Sequence, residues 1–316
     1  MFTPADLDIM ILSHDRPEYV GQAIQSILNQ SVQGFSIQVL DNGSGPETDK
    51  VLASFGDKIA IHKSLENKGG EWNYQRAVNL AKNKLTMIFH DDDVLHPRYI
   101  EFALNAFTQY PDADLVSCCM QVFTNQIAFK EVSTPRVLRL TIEELAAKCY
   151  FGYNMPLSGV IYQTYALKSL PPMHSLFLQY GKISDRPWVF QAGEHNGCIL
   201  IDESMVGYRI HSGQDSQSVS NGPFKNQTCA LHKCYHKYLG GSLLKKGGRS
   251  WLLNNYRHMK MEYRNSISQT DNCSWKEYLQ YCLTNGGASM ASVFIGRIVW
   301  PAYSMVHMAR IRRMHQ

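Results

Sequence analysis

Residues 8–17 read Asp8-Ile9-Met10-Ile11-Leu12-Ser13-His14-Asp15-Arg16-Pro17. A short apolar run of this kind fits a strand buried on both faces. A polar turn follows, and Pro17 then opens a helix, where its missing N–H costs nothing. Val20, Ile24, Ile27 and Leu28 recur at helical spacing and carry that helix to about Asn29. The same unit then repeats. Ile37–Asp41 is a second apolar run, ending in the turn signal Asn42-Gly43-Ser44-Gly45. A helix over Glu47–Phe55 and a strand over Ile59–His62 follow. Glu71–Lys82 reads as a helix from the placing of Trp72, Ala77, Val78 and Ala81. Leu85–Phe89 is a further strand and runs into His90-Asp91-Asp92-Asp93. Pro97 opens a helix with Ile100, Leu104 and Phe107 on one face, and Leu115–Val122 reads as the next strand.

Strand–helix alternation implies an α/β domain whose strands pair in parallel through right-handed crossovers. Ligands of such sheets sit beyond the carboxyl ends of the strands. The polar clusters at 13–15, 41–44 and 90–93 all follow strand ends, so they are expected together on one edge. Beyond residue 130 the pattern mixes. Ile142–Tyr150 reads as a helix, Leu157–Tyr162 as extended, and Pro171-Pro172 as a break. Ser184-Asp185 caps a helix expected to run through Ala192. Cys198–Ile201 and Met205–Ile210 read as two strands, and helices and loops are expected after Ser220.

The chain has 316 residues, 44% apolar and 18% charged, enough apolar content for a sizeable core, which excludes global disorder. Its net charge of +4 is unevenly spread. Residues 222–316 hold 14 Lys/Arg against 3 Asp/Glu, whereas residues 1–221 hold 17 against 24. An acidic body with a basic tail points to different partners for the two parts. No basic n-region leads into an apolar stretch at Met1, so no signal peptide is expected. The most apolar segment near the C-terminus is interrupted by Arg297 and Pro301, which argues against a spanning helix. The eight cysteines show no CxxC pair and no zinc spacing, and read as thiols in a reducing cytosol.

Three consecutive carboxylates after an apolar strand repel one another. A hard divalent cation such as Mg²⁺ or Mn²⁺ relieves that repulsion and in turn holds a diphosphate. A solvated turn in which Asp93 caps the next helix is the other reading. Asp41 is either a turn residue or a strand-end carboxylate that accepts from a nucleobase or ribose. Asn73 and Arg76 share one helix face, facing solvent or clamping a phosphate. Asp185 is a helix cap or a general base. His211 closes the run Tyr208-Arg209-Ile210-His211, and from local sequence it is structural or a ligand.

Taken in order, these stretches resemble the family 2 glycosyltransferases over roughly residues 7–215. Ile11 to Tyr19 looks like that family's opening strand and turn, although His14 and Asp15 stand where Tyr and Asn are commoner. Ser26-Ile27-Leu28-Asn29-Gln30 looks like the end of its first helix, and Val39 to Ser44 like its nucleoside loop. Asn67-Lys68-Gly69 with Asn73-Tyr74-Gln75-Arg76-Ala77 is similar to a variant found among bacterial surface-polysaccharide transferases. His90-Asp91-Asp92-Asp93 looks like the metal-binding DxD motif, and Tyr208 to His211 with Ser216 like the closing motif of that branch.

The resemblance implies a GT-A fold, a Rossmann-like, mixed but mainly parallel sheet flanked by helices. It divides the chain into a catalytic domain over 1–220 and a basic, mainly helical extension over 221–316. It implies inverting transfer of a sugar from a nucleotide donor, UDP by resemblance, to a glycan or an undecaprenyl-diphosphate-linked acceptor in O-antigen or capsule synthesis, with Mn²⁺ or Mg²⁺ as cofactor. On this resemblance Ser13, His14 and Asp41 contact the nucleoside. Asn73, Arg76 and Asp92 lie near the diphosphate or donor sugar, and Asp91 faces the ribose. Asp93 binds the metal, with His211 as a further metal ligand or diphosphate contact, and Asp185 is the catalytic base. Around Asp185 the family often carries a second acidic neighbour, whereas Ser184 and Arg186 stand here.

Residues 283–316 carry Arg297, Arg310, Arg312 and Arg313 and no acid, amid apolar and aromatic side chains. They read as an interfacial segment attracted to the anionic inner face of the cell membrane, which makes the protein cytoplasmic and peripheral, or as a helix docked on the body. The acidic body argues against nucleic acid as a partner. Two other classes compete: a sugar-nucleotide nucleotidyltransferase, although Ser13-His14-Asp15-Arg16 lacks the glycines of its loop, and a non-catalytic sugar-nucleotide-binding module.

Overall fold

The computed structural model describes residues 1–150, 155–181 and 184–214, together with Cys234, Lys237 and Tyr238. Apart from those three residues, the expected 221–316 extension, with its basic tail, lies outside the described residues. In chain order the elements are β1 (Leu7–Ser13), α1 (Pro17–Leu28), β2 (Ser36–Asp41), α2 (Pro46–Ala53), β3 (Ala60–Lys63), α3 (Gly70–Leu80), β4 (Leu85–His90), β5 (Val94–Leu95), α4 (Tyr99–Gln109), β6 (Leu115–Phe123), β7 (Val137–Leu140), α5 (Ile142–Tyr150), β8 (Ile161–Gln163), α6 (Thr164–Lys168), α7 (Met173–Tyr180), α8 (Asp185–Ala192) and β9 (Cys198–Arg209).

The strands form one sheet in the order β3-β2-β1-β4-β8-β6-β9-β5, with β7 also paired to β9. The first half behaves as alternation demands. β3, β2, β1 and β4 are all parallel, with Ile9 level with Ile37 on one side and Met87 on the other. Every residue of β1 is buried, as a central strand covered on both faces requires. Ile9 and Ile11 join Val20, Ile24 and Ile27 of α1, Leu52 of α2 and the buried side of α4 in one apolar cluster. Side chains alternate across a strand, so Met10 serves the opposite face, where α3 runs against β1 and β2.

The second half makes the sheet mixed, as the resemblance implies. β8 inserts antiparallel between β4 and β6, and β5 and β7 run antiparallel to β9. The two strands expected over 198–210 are a single 12-residue strand. Two register shifts against β6, around Cys119, absorb the polar Asp202-Glu203 step, so one strand reads in sequence as two. The helix after Pro97 begins two residues later, at Tyr99. Ser184 stands at the N-cap of α8 but makes no side-chain capping bond. Among the described residues Cys118, Cys149 and Cys198 are free thiols, and no helix is long and apolar enough to cross a membrane.

Gly43 turns the chain after β2 at φ 77°, and a Cβ there would lie 2.4 Å from the Glu66 carbonyl carbon. Gly43→Ala must therefore carry left-handed strain as well as push back the 64–69 loop. We expect a loss of about 2–3 kcal/mol in urea unfolding; an unchanged midpoint would show that the loop gives way freely.

Candidate active site

The ends of β1, β2 and β4 are tied edge to edge. The Asn42 amide donates to the Ser13 carbonyl, the Asp91 amide to Leu12 and the Ser64 amide to Asp41. Asp15, the one non-glycine residue at positive φ among those described, donates its amide to Ser44 Oγ at 2.8 Å and accepts from the Gly45 amide at 3.0 Å. The polar clusters at 13–15, 41–44 and 90–93 thus meet on one edge, as their places after strand ends predict.

Asp91 is wholly buried and accepts from the His14 amide at 3.0 Å and from Arg16 Nη1 at 2.8 Å. The same guanidinium stands 3.4 Å from Asp92, and His211 Nε2 lies 3.1 Å from Asp92 Oδ2. The His211 ring packs against Tyr19, with centroids 4.8 Å apart. Asp93 Oδ1 accepts from the Arg209 amide at 3.1 Å. That bond rules out the capping alternative, since α4 begins at a different N-cap, Arg98, which makes no side-chain capping bond. Burial pushes the Asp93 carboxyl up to about 8, and the Asp92 charge adds to the rise, against the weaker pull of the Arg209 amide and the Ser158 hydroxyl. Burial likewise raises Asp91, with the Arg16 charge acting against it.

Arg209 went unassigned in the sequence reading. It is 2% exposed and sits between the rings of Tyr19 and Phe123. Its guanidinium donates to the Asp92 carbonyl at 2.8 Å, to Gln22 Oε1 at 2.7 Å and to the Thr124 carbonyl at 3.3 Å. It thereby clamps the aspartate turn from behind. In sequence Arg209 stands within the Tyr208–His211 run with no role of its own. His90 likewise has no separate role within the His90–Asp93 run, and Ser158 has none. The Ser158 hydroxyl accepts from the His90 amide at 3.1 Å, and the His90 ring meets the Tyr74 hydroxyl. One ligand atom from each of His90, Asp92 and Asp93 lies within 4.8 Å of the others. His211 reaches this group from outside, through Asp92.

Asn73 is buried and donates to the Leu40 carbonyl at 2.8 Å, and Arg76 donates to the carbonyls of Asp41 and His62 at 3.2 and 2.6 Å. Both brace the ends of β2 and β3, and Arg76 stacks on Trp72. Neither is a purely solvated position. Asp41 Oδ1 accepts from the Ser44 amide, while Lys63 Nζ stands 3.8 Å from Oδ2. Asp185 lies in the first turn of α8, anchored by buried Pro187, Trp188, Val189 and Phe190. Burial keeps the Tyr74 hydroxyl protonated, and the charges of Asp185, Asp93 and Asp92 all add to that. The Tyr74 hydroxyl therefore feels the charge of Asp185 as well as that of the aspartate triplet.

Ten buried side-chain polar atoms among the described residues lack a hydrogen-bond partner, and five belong to this edge: Ser13 Oγ, His14 Nδ1, Asp41 Oδ2, Asn73 Oδ1 and Asp93 Oδ2. Buried polar groups are normally satisfied. Such a concentration marks a surface built to receive a polar ligand. An unpartnered carboxylate oxygen beside a second carboxylate and an imidazole is a donor set that suits a divalent cation.

Comparison with known proteins agrees. The model for glycosyl transferase family 2 matches residues 8–160. An uncharacterized glycosyltransferase of Rickettsia prowazekii is 30% identical over 228 residues, covering 68% of this chain and 67% of its own length. A glucosyl-dolichyl phosphate glucuronosyltransferase of Haloferax volcanii is 25% identical over 103 residues, about a third of either chain. The crystal structure of residues 1–349 of S. aureus TarS in complex with UDP-GlcNAc superposes with a TM-score of 0.61 at 15% identity, covering 88% of this chain and 78% of that one. The likeness to TarS establishes the GT-A fold, and the family match with the Rickettsia relative establishes that this chain belongs to glycosyl transferase family 2.

Proposed function

We propose that the protein is an inverting, cation-dependent glycosyltransferase that moves a sugar from a nucleoside diphosphate, UDP in our reading, to a hydroxyl of a glycan or lipid-linked acceptor. The observation that carries this is the set of five unpartnered polar atoms along the strand ends. Ser13, His14 and Asp41 offer two hydrogen-bonding atoms and a carboxylate at the nucleoside end. Asn73 and Arg76 flank the diphosphate or donor sugar, Asp91 faces the ribose, and Asp92, Asp93 and His211 surround the phosphates. A divalent cation bound there supplies charge neutralisation to the departing diphosphate. Asp185, in the first turn of α8, removes the proton from the acceptor hydroxyl as its oxygen bonds to the anomeric carbon. The bond to the diphosphate breaks on the opposite face, so the configuration inverts. Membership of this family favours sugar transfer over nucleotidyl transfer or simple binding.

The test is a panel of nucleotide sugars with Mn²⁺, read by thermal shift and by release of the nucleoside diphosphate. A UDP-sugar should raise the melting temperature and be turned over. Stabilisation by nucleoside triphosphates with release of pyrophosphate would support the nucleotidyltransferase instead. Proton and cation also compete for Asp93. Burial holds its carboxyl well above the usual carboxylate range, so Mn²⁺ affinity should climb as pH rises through neutrality. Isothermal titration checks this, and a pH-independent affinity would remove Asp93 from the ligand set.

We further propose that the chain acts as a cytoplasmic, peripheral protein in O-antigen or capsule synthesis, with residues 1–220 as the catalytic domain. The basic extension would bring it to an undecaprenyl-linked acceptor at the inner membrane surface. Residues 290–316 should then be required for flotation with anionic liposomes; equal recovery without them would refute that role.

A further inference from the structure

A chain of two asparagines fixes which nitrogen of His14 carries the proton. A backbone N–H can only donate, so the Gly69 amide, 2.9 Å from Asn67 Oδ1, identifies that atom as oxygen. The Lys68 amide does the same for Asn42 Oδ1 at 3.1 Å. Asn42 Nδ2 therefore donates, to Asn67 Oδ1 at 3.0 Å and to the Gly69 carbonyl at 3.1 Å. Asn67 turns its remaining group, the NH₂, to His14 Nε2 at 2.7 Å. That nitrogen must accept, so the proton of the neutral ring sits on Nδ1. His14 Nδ1 is buried and without a hydrogen-bond partner among the described residues. On the neighbouring strand end, Asp41 pairs with Ser13, and its Oδ2 is a buried acceptor that likewise receives no hydrogen bond.

Resting on the nucleotide-sugar reading above, we propose that Asn67 is a positioning residue that locks His14 as an Nδ1–H donor, and that His14 donates to a carbonyl of the donor's nucleobase. The two strand ends then offer one donor and one acceptor. A base with an imide edge, such as uracil, presents the complement, an N–H flanked by carbonyl oxygens. A buried donor left unpaired is costly, so the incoming carbonyl supplies a bond that the fold itself does not make. A cytosine edge would instead bring a ring lone pair toward the carboxylate.

The test uses the full chain with ¹⁵N-labelled histidine. In wild type, His14, identified by its absence from the spectrum of His14→Ala, should show a protonated Nδ1 and a bare Nε2. UDP with Mg²⁺ should shift the Nδ1–H proton. Asn67→Asp keeps the acceptor for Gly69 and Asn42 but faces Nε2 with a second acceptor, so Nε2 should gain a proton there. The 2-thio and 4-thio analogues of UDP, whose sulfur accepts hydrogen bonds weakly, tell the two carbonyls apart. One of them should bind wild type about tenfold more weakly than UDP. That penalty should vanish in His14→Ala and persist in His14→Asn, whose amide N–H stands in for Nδ1–H. A bare Nδ1 in wild type, equal binding of all three nucleotides, or a penalty that His14→Ala leaves unchanged would overturn this inference and leave sugar transfer from UDP intact. Wild type that binds no UDP would overturn both.

Discussion

Asp93→Asn should lower sugar transfer by about a thousandfold or more, an effect on the order of 4 kcal/mol in the barrier. Asn keeps the volume and can still accept from the Arg209 amide through its carbonyl oxygen, so the turn after β4 should survive. It removes the negative charge that Oδ2 offers without a partner. The metal-free variant should melt no lower than wild type, because a buried, repelled carboxylate has become a neutral amide. Mn²⁺-dependent binding of UDP should weaken in parallel with turnover. Steady-state kinetics with calorimetry separate these outcomes. A variant that transfers sugar at the normal rate would show that the triplet does not serve the leaving group.

Asp185→Asn should lower kcat by about a hundred- to ten-thousandfold, the range for loss of a general base. Here the donor side should be untouched. Asp185 lies on α8 and not on the strand ends that lead to Asp41, Asp91 and Asp93, and its charge and those of Asp92 and Asp93 all raise the Tyr74 hydroxyl. UDP affinity and its Mn²⁺ dependence should therefore stay near wild type while transfer collapses. Loss of donor binding in Asp185→Asn would place this residue on the donor side. Full activity would mean that another group takes the acceptor proton.

Much of the first 123 residues was legible because β1 and β4 are apolar and almost wholly buried and because α1 and α2 open on proline. Ser13, Asp41 and Asp93 could be placed on one edge because parallel strands put their carboxyl ends together. The later strands were harder for a physical reason. β5 has two residues and β8 three, too short for any periodicity, and β8 gains its place only by pairing with β4 and β6 from far along the chain. The 202–204 step hid the continuity of β9. Capping chemistry misled at Ser184, where residue type suggested a bond that the backbone does not make. His90 and Ser158 carry no role of their own in the sequence, because one reads as the last residue before the aspartates and the other as part of an extended stretch. Their contact with each other, and that of His90 with Tyr74, comes only with the fold. Arg209 is visible as a charge at the end of a strand, but its aromatic walls, Tyr19 in α1 and Phe123 at the end of β6, lie far from it in sequence.

The mechanism turns on where a divalent cation sits when a nucleoside diphosphate is bound. Crystals grown with UDP and Mn²⁺, with data collected near the manganese absorption edge, would locate it directly. We predict one anomalous peak bonded to Asp93 and to the diphosphate oxygens, with uracil toward Asp41. Nucleotide bound along the strand ends with no manganese at Asp93 would contradict the central claim.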